Sequence, residues 1–374
     1  MKYFKSLLPK PLRNIFVMIL IWLLAAFLFA HFQLMDLEDL QDPLSRLISD
    51  PFSRKIKGLN IFLTGILFGT IFGLLDNYSQ SKYDRLKKKS YGQIILFYSI
   101  LHVILIFISI ILVFIFSQYL MHGHITSEGE KIFREFFHSK NTISILVYTY
   151  IISSLIVFIK QVNKKFGPGI LKNMILGKYR QPKEENCIFM FMDLKSSTTY
   201  AEKLGHHKYS QLIQDCFSDL TDAVNRFEAK IYQYVGDEVV LCWEYDKGIQ
   251  NANCVKLYYD FKRILQKRSA HYQEQYGLVP QFKAGINGGL IMIAEVGIIK
   301  RSIAYHGDVI NTASRIQGQC NDFNQEMLLS ETIAEAIAST DTIKCNPIGG
   351  VLLKGKSKKV NIYSINEDSI PGNN

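Results

Sequence analysis

Four apolar stretches, residues 15–30, 59–75, 94–120 and 143–159, constrain this chain more than any other feature. Crossing about 30 Å of hydrocarbon takes roughly 20 apolar residues in a helix, because lipid offers no partner for an unpaired backbone group. The third stretch is generous for a span, and two of the others are near the lower limit. A signal peptide would need a small-x-small cleavage site after the first stretch, and no clear one is present there. Residues 1–160 therefore read as an all-α transmembrane domain of four helices.

Loop charges set the expected orientation. Lys2, Lys5, Lys10 and Arg13 precede the first stretch without an acid. Lys82, Arg85, Lys87, Lys88 and Lys89 fill the second connection, and Lys160, Lys164, Lys165, Lys172 and Lys178 come after the fourth stretch. The other connections are mixed or acidic, one opening with Asp36, Glu38, Asp39 and Asp42. Cytoplasmic loops are enriched in Lys and Arg, so both termini are expected in the cytoplasm. The same clustering beside apolar segments accounts for the net charge of +10 without invoking a nucleic-acid partner.

Two features inside the spans stand out. Gly65, Gly69 and Gly73 recur every four residues and form a stripe that lets another backbone approach, within or between subunits. His102 lies in the third span, where an ionisable group marks a candidate site. With no second intramembrane histidine to pair with it, a haem role is disfavoured, and a neutral imidazole bonded to a neighbouring helix is the plainer expectation.

Residues 161–185 read as a linker: Phe166-Gly167-Pro168-Gly169 interrupts it, and Ile170, Leu171, Met174 and Ile175 then recur at helical spacing. Such a segment either lies at the interface or transmits span packing to the domain on its C-terminal side. Residues 186–366 alternate β-rich runs with helical ones, as an α/β sandwich does. Strands are expected at 187–193, 231–243 (a hairpin), 283–293 (a pair) and 351–366 (a hairpin), and helices at 208–227, 251–276 and 309–320. Residues 367–374 read as a disordered tail. All six cysteines fall after residue 186 with no zinc or redox spacing, which suits a reducing cytoplasm.

Three short motifs in that domain carry chemistry. Asp193 ends a buried apolar run and precedes Ser196, Ser197 and Thr198 at a helix start, where backbone N–H groups can hold phosphate while the acid holds a cation. The plainer reading is that Asp193 or Ser197 caps the helix. Asp237 stands in a Gly-Asp turn that is also a common innocent one. Two carboxylates on neighbouring strand ends repel unless cations join them, and a pair of Mg²⁺ or Mn²⁺ ions suits an in-line displacement. Asn311 and Arg315 are four apart on a helix and share a face. Arg keeps its charge and meets phosphate through a planar fork.

Phe-Met-Asp-Leu-Lys-Ser-Ser-Thr at 191–198, Tyr-Val-Gly-Asp-Glu at 234–238 and His-Gly-Asp-Val-Ile-Asn-Thr-Ala-Ser-Arg at 306–315 together resemble the catalytic domain of class III nucleotidyl cyclases, here of a membrane-anchored bacterial type. The resemblance covers roughly residues 183–366. It implies a ferredoxin-like βαββαβ core with additions, working as a head-to-tail homodimer on a nucleoside triphosphate at the bacterial inner membrane. It implies two divalent cations on Asp193, Leu194 and Asp237, Asn311 orienting the ribose and Arg315 stabilising charge on the α-phosphate. It also implies that carboxylates and the Asn/Arg pair come from different subunits. Lys354 matches the lysine for the terminal phosphates, with Lys356 as fallback.

Base recognition departs from the family. Adenylate cyclases typically have Lys and then Asp or Thr where this chain has Gln233 and Ala304; guanylate cyclases have Glu and Cys. Gln both donates and accepts, and Ala offers nothing. Tyr305, Lys300 or a backbone group are the substitutes in reach. ATP is the expected substrate and cyclic AMP the product, with guanylate or pyrimidine cyclisation and a non-catalytic nucleotide receptor as alternatives. Val235-Gly236-Asp237-Glu238-Val239 is also similar to the Gly-Gly-Asp-Glu-Phe signature of diguanylate cyclases. That family needs the first glycine and lacks an Asn-x-x-x-Arg helix.

Overall fold

The computed structural model describes residues 10–38, 51–81, 90–138, 140–167, 169–339, 343–365 and 370. Lys2, Lys5, Asp39, Asp42, Lys82, Arg85, Lys87, Lys88 and Lys89, on which the orientation argument leans, lie outside them, as does most of the expected tail. The chain divides into two compact units, Met1–Lys165 and Phe166–Asn374.

The first unit is helical: α1 (Lys10–Glu38), α2 (Pro51–Ser81), α3 (Tyr91–His122), α4 (Ser127–His138) and α5 (Lys140–Phe166). Among the described residues three apolar runs are long enough to cross a membrane, Pro11–His31, Tyr91–Leu120 and Thr142–Phe166. The second expected span is a helix too, and its apolar run among the described residues is Phe62–Asn77. A Cβ at Gly69 would lie 2.4 Å from the Ile19 Cα, one at Gly73 2.6 Å from the Ile15 Cα, and one at Gly65 2.8 Å from Leu23 Cδ2. The glycine stripe therefore seats α1 against α2 within one chain. Trp22 wedges edge-on against Phe68 beside it, ring centres 4.3 Å apart. Ser90 and Gln93 close a reciprocal capping box at the start of α3.

The second unit opens with α6 (Ile170–Ile175), where Ile170, Leu171 and Met174 are half-buried and Ile175 keeps 77% exposure. The sheet starts at β1 (Lys183–Leu194), four residues earlier than the apolar run alone indicates. Next in the chain are α7 (Ser197–Arg226), β2 (Lys230–Val235), β3 (Glu238–Glu244), α8 (Tyr245–Ile249), α9 (Asn253–Lys267) and α10 (Ser269–Tyr276). After them come β4 (Phe282–Val296), β5 (Ser302–His306), α11 (Asp308–Gly318), β6 (Met327–Ser330), α12 (Glu331–Ala338), β7 (Cys345–Val351) and β8 (Val360–Ile365).

The strands form one mixed sheet in the order β2-β3-β1-β4-β6-β8-β7, with β5 paired to β4. Alternation along β1 builds two cores. Ile188, Met190, Met192 and Leu194 pack under α7, α9, α10 and α12, and Cys187, Phe189 and Phe191 pack under α11 and β5. Burial pushes the thiols of Cys187, Cys216, Cys254 and Cys320 up to about 12, so they are inert packing groups at neutral pH.

Several expected boundaries move. Residues 282–296 are one long strand rather than a pair, because Gly288 and Gly289 are paired with Ile188 and Cys187 instead of turning. The helical stretch 251–276 breaks at Arg268, and the last hairpin turns between Val351 and Val360. A helix reading from 208 misses the first turns of α7, which precede a kink at Gly205.

Candidate active site

The two acids meet because their strands are neighbours. Asp193, near the end of β1, stands opposite Glu238 on β3 and Lys283 on β4. Asp237 occupies the β2–β3 turn, where Gly236 takes a positive φ of 64° that a side chain would resist. Burial, and then the charge of Asp237, hold the Asp193 carboxyl above its ordinary value. Burial and the charges of Asp193 and Asp237 raise Glu238 to about 7. The Lys283 ammonium lies 3.5 Å from Asp193 Oδ2, and Gln317 Nε2 donates to the same oxygen at 3.4 Å. Asp237 Oδ2 is buried with no hydrogen-bond partner.

That set fits divalent cations. A buried carboxylate oxygen without a donor is costly, and crowded acids are relieved when a cation enters. Among the described residues no group of three His, Cys, Asp or Glu could hold a metal alone. Mg²⁺ does not need one, since it commonly takes one or two carboxylates and completes its shell with substrate phosphates and water. The Leu194 side chain is 1% exposed in the core, so a ligand role there would fall to its main-chain carbonyl.

Beside the acids, α7 begins without the expected cap. Its N-cap is Ser196, in a left-handed conformation and making no side-chain cap hydrogen bond, with Ser197 and Thr198 opening the first turn. The first-turn N–H groups thus remain for an anion.

Asn311 and Arg315 lie one turn apart on α11, as their spacing requires. Thr312, Ala313, Ile316 and Gln317 of that helix are buried, while Asn311 is exposed and Arg315 half-buried. The helix is pressed onto β4: a Cβ at Gly285 would sit 2.2 Å from the Gln317 nitrogen. Gln317 thereby points to Asp193, and at 100° per residue Arg315 is turned about 200° away from it. The chain thus brings Asp193 and Asp237 together and turns the Asn/Arg pair away from them. Arg315 instead neighbours the turn after β7, where a Cβ at Gly355 would lie 3.3 Å from its Nη2. In that turn Lys356 is ion-paired with Asp308, whose carboxyl it holds down, and Lys354 is exposed.

Gln233 is exposed on β2 beside a bulge, and Ala304 sits on β5 opposite Ala294. Tyr305 packs edge-on against Phe189 and Tyr232, ring centres 5.2 and 4.8 Å away, and burial drives its hydroxyl pKa upward. It packs half-buried against that core. Lys300 is exposed in the β4–β5 turn.

Residues 179–367, about half of the chain, match the family described as "Adenylate and Guanylate cyclase catalytic domain". The chain belongs to this family. "Adenylate cyclase 2" of Rhizobium meliloti (strain 1021) is 30% identical over 231 residues, which are 62% of this chain and 64% of that protein. "Adenylate cyclase" of Anabaena cylindrica is 23% identical over 183 residues, 47% of this chain and 36% of that one. The chain thus spans less than two thirds of the length of these curated relatives. In fold it is similar to a bacterial light-regulated adenylyl cyclase of known structure, with a TM-score of 0.51, 15% identity, and coverage of 61% of this chain and 66% of that one.

Reading the cyclase motifs alone misses Lys283, Gln317 and Glu238. Lys283 carried a signal: it is the one charge inside the apolar run Phe282–Ile286, where a charge needs a partner. Gln317 carried none, because only the close approach at Gly285 aims it.

Proposed function

We propose that this cyclase converts ATP to 3',5'-cyclic AMP and pyrophosphate in a homodimer, held by its helices in a bacterial inner membrane with both termini and the catalytic unit in the cytoplasm. The observation that carries the reaction is the Asp193/Asp237 pair with its unpartnered buried oxygen beside an uncapped helix start. Relatives named adenylate cyclases support ATP over GTP.

In the reaction the ribose 3'-oxygen loses its proton and bonds the α-phosphorus, and the bond to pyrophosphate breaks. Two divalent cations, Mg²⁺ or Mn²⁺, would be held by Asp193 and Asp237 with the Leu194 carbonyl, and when bound would activate the attacking oxygen and neutralise the leaving phosphates. The first-turn N–H groups of α7 with Ser196, Ser197 and Thr198 receive phosphate oxygens. Arg315 steadies charge on the α-phosphate and Asn311 orients the ribose. Lys354 addresses the terminal phosphates, since Lys356 is engaged by Asp308. The outward face of α11 supports a shared site, with Asn311 and Arg315 serving the acids of a second copy. Gln233 and Ala304 leave base choice to weak contacts.

Incubating the purified chain separately with ATP, GTP, CTP and UTP and Mn²⁺ tests this reading. Cyclic AMP is expected as the fastest-formed product. Tight nucleotide binding with no cyclic product from any of the four would make the catalytic unit a receptor instead.

A further inference from the structure

Gln317 stands beside the carboxylate pair without belonging to any of the three motifs. It lies near the end of α11 and is 7% exposed, where a polar group without a partner is costly. The packing of the helix decides where its amide goes. A Cβ at Gly285 would lie 2.2 Å from the Gln317 nitrogen and 2.5 Å from its Cα, so α11 rests on bare β4 backbone at this residue. Two positions along β4, Lys283 is paired with Asp193 of β1. From that seat Gln317 Nε2 donates to Asp193 Oδ2 at 3.4 Å, and the Lys283 ammonium approaches the same oxygen at 3.5 Å.

The two donors answer differently to a divalent cation. Lys283 brings a charge that repels it. Gln317 brings a neutral N–H, and a carboxylate has lone pairs enough to accept that N–H and ligate a cation together. Donors behind a ligating group fix its orientation, and losing one typically weakens metal binding about 10–100-fold. Asn311 and Arg315 point away from Gln317 on the same helix, toward the acids of a second copy in the shared site proposed above.

We propose that Gln317 is a positioning residue for the cations. It holds Asp193 of its own chain in the ligating orientation, while the opposite face of the same helix serves the other site of the dimer. In any one site Gln317 therefore comes from the chain that gives the acids and not from the chain that gives Arg315. The hold on Asp193 needs only the carboxylate pair; the division between chains rests on the shared-site reading.

Gln317→Met keeps the length of the side chain and removes its N–H. Titrated with Mn²⁺ by EPR, without nucleotide, the full-chain variant in nanodiscs should bind the ion about tenfold more weakly than the parent. Co-expressing an Arg315→Ala chain with an Asp193→Ala chain leaves one working site, its acids from the first chain and its guanidinium from the second. Placed in the first chain, Gln317→Met should raise the Mn²⁺ concentration for half-maximal activity about tenfold; placed in the second, it should move that midpoint by less than about twofold. A measurable midpoint in the second placement shows that the substituted helix folds and presents Arg315. Mn²⁺ binding that is unchanged or tighter in Gln317→Met, or equal effects in the two placements, overturns the proposal. Failure of the unmodified pair to complement removes the shared site instead, and the EPR titration then decides the role of Gln317 by itself.

Discussion

Lys283 is the residue whose removal most sharply tests the electrostatic reading of the carboxylate pair. Its ammonium lies 3.5 Å from Asp193 Oδ2, and the two side chains are 14% and 24% exposed. At an effective dielectric constant of about 20, unit charges at that distance attract by roughly 5 kcal/mol, before desolvation and screening. Partly exposed pairs retain far less, about 1–2 kcal/mol here. In the metal-free protein that attraction offsets the crowding of Asp193, Asp237 and Glu238. Once a divalent cation arrives, the same ammonium becomes a repulsive neighbour.

Lys283→Met keeps the aliphatic stem and deletes only the charge. The metal-free variant should unfold at a lower temperature, by an amount equivalent to about 1–2 kcal/mol. Its affinity for Mn²⁺ should rise about tenfold, because 1.4 kcal/mol of lost repulsion is one decade. Lys283→Arg should stay within about twofold of the parent, a small fraction of that energy. Titrating free Mn²⁺ by EPR on the full chain in nanodiscs at pH 8 reads this directly. A merely structural lysine predicts the opposite sign, since loosening the site weakens metal binding. Weaker or unchanged Mn²⁺ affinity in Lys283→Met would refute the counter-ion reasoning.

Other consequences are also measurable. Asp193→Ala and Arg315→Ala should each lose at least a hundredfold in activity and regain it when co-expressed, if one copy supplies the acids and the other the guanidinium; folded dimers that fail to complement rule that out. Gly69→Ala pushes a methyl into the Ile19 backbone, so the detergent-solubilised protein should lose about 1–3 kcal/mol against thermal unfolding. Glu238 is raised from 4.5 to about 7, so its contribution favours folding at low pH and is lost as pH rises through that interval. The metal-free protein should therefore gain stability from pH 7.5 to about 5.5 in thermal melts, and Glu238→Gln should flatten that slope. Lys354→Ala should raise KM for the triphosphate about tenfold, the effect of one phosphate contact, while Lys356→Ala should act less because Asp308 already engages it.

How much of this was legible in the sequence depended on whether the decisive contact is local. Asn311 and Arg315 share a helix face by arithmetic on their spacing, and α11 bears that out. Asp193 and Asp237 are 44 positions apart, yet each sits at a strand end or turn, so one adjacency between β1 and β3 suffices to join them. The glycine stripe announced a close approach but not its partner, which proved to be Ile15, Ile19 and Leu23 of α1. Tyr305 could not be placed by reading alone. A tyrosine in a short strand points to either face, and only the register of Ile293 with Tyr305 turns it inward.

The orientation of α11 supplies the strongest physical argument for a second copy. Gly285 admits the helix so closely that its rotation about its own axis is not free: turning Gln317 off Asp193 would drive another side chain into β4. With that rotation held, Asn311 and Arg315 stay on the outer face, and a rotamer change cannot carry a guanidinium around the helix to its own acids. Either the pair serves nothing, or it serves acids presented by another molecule. An exposed Asn beside a half-buried Arg, next to an exposed Lys354, costs little as bare surface, so stability alone gives no reason to place them there. In the proposed arrangement a triphosphate held at one end by the acids and at the other by this face would need both copies at once. Dilution should therefore reduce specific activity along the same curve on which the dimer dissociates. A specific activity constant across that dissociation would assign the whole reaction to one chain.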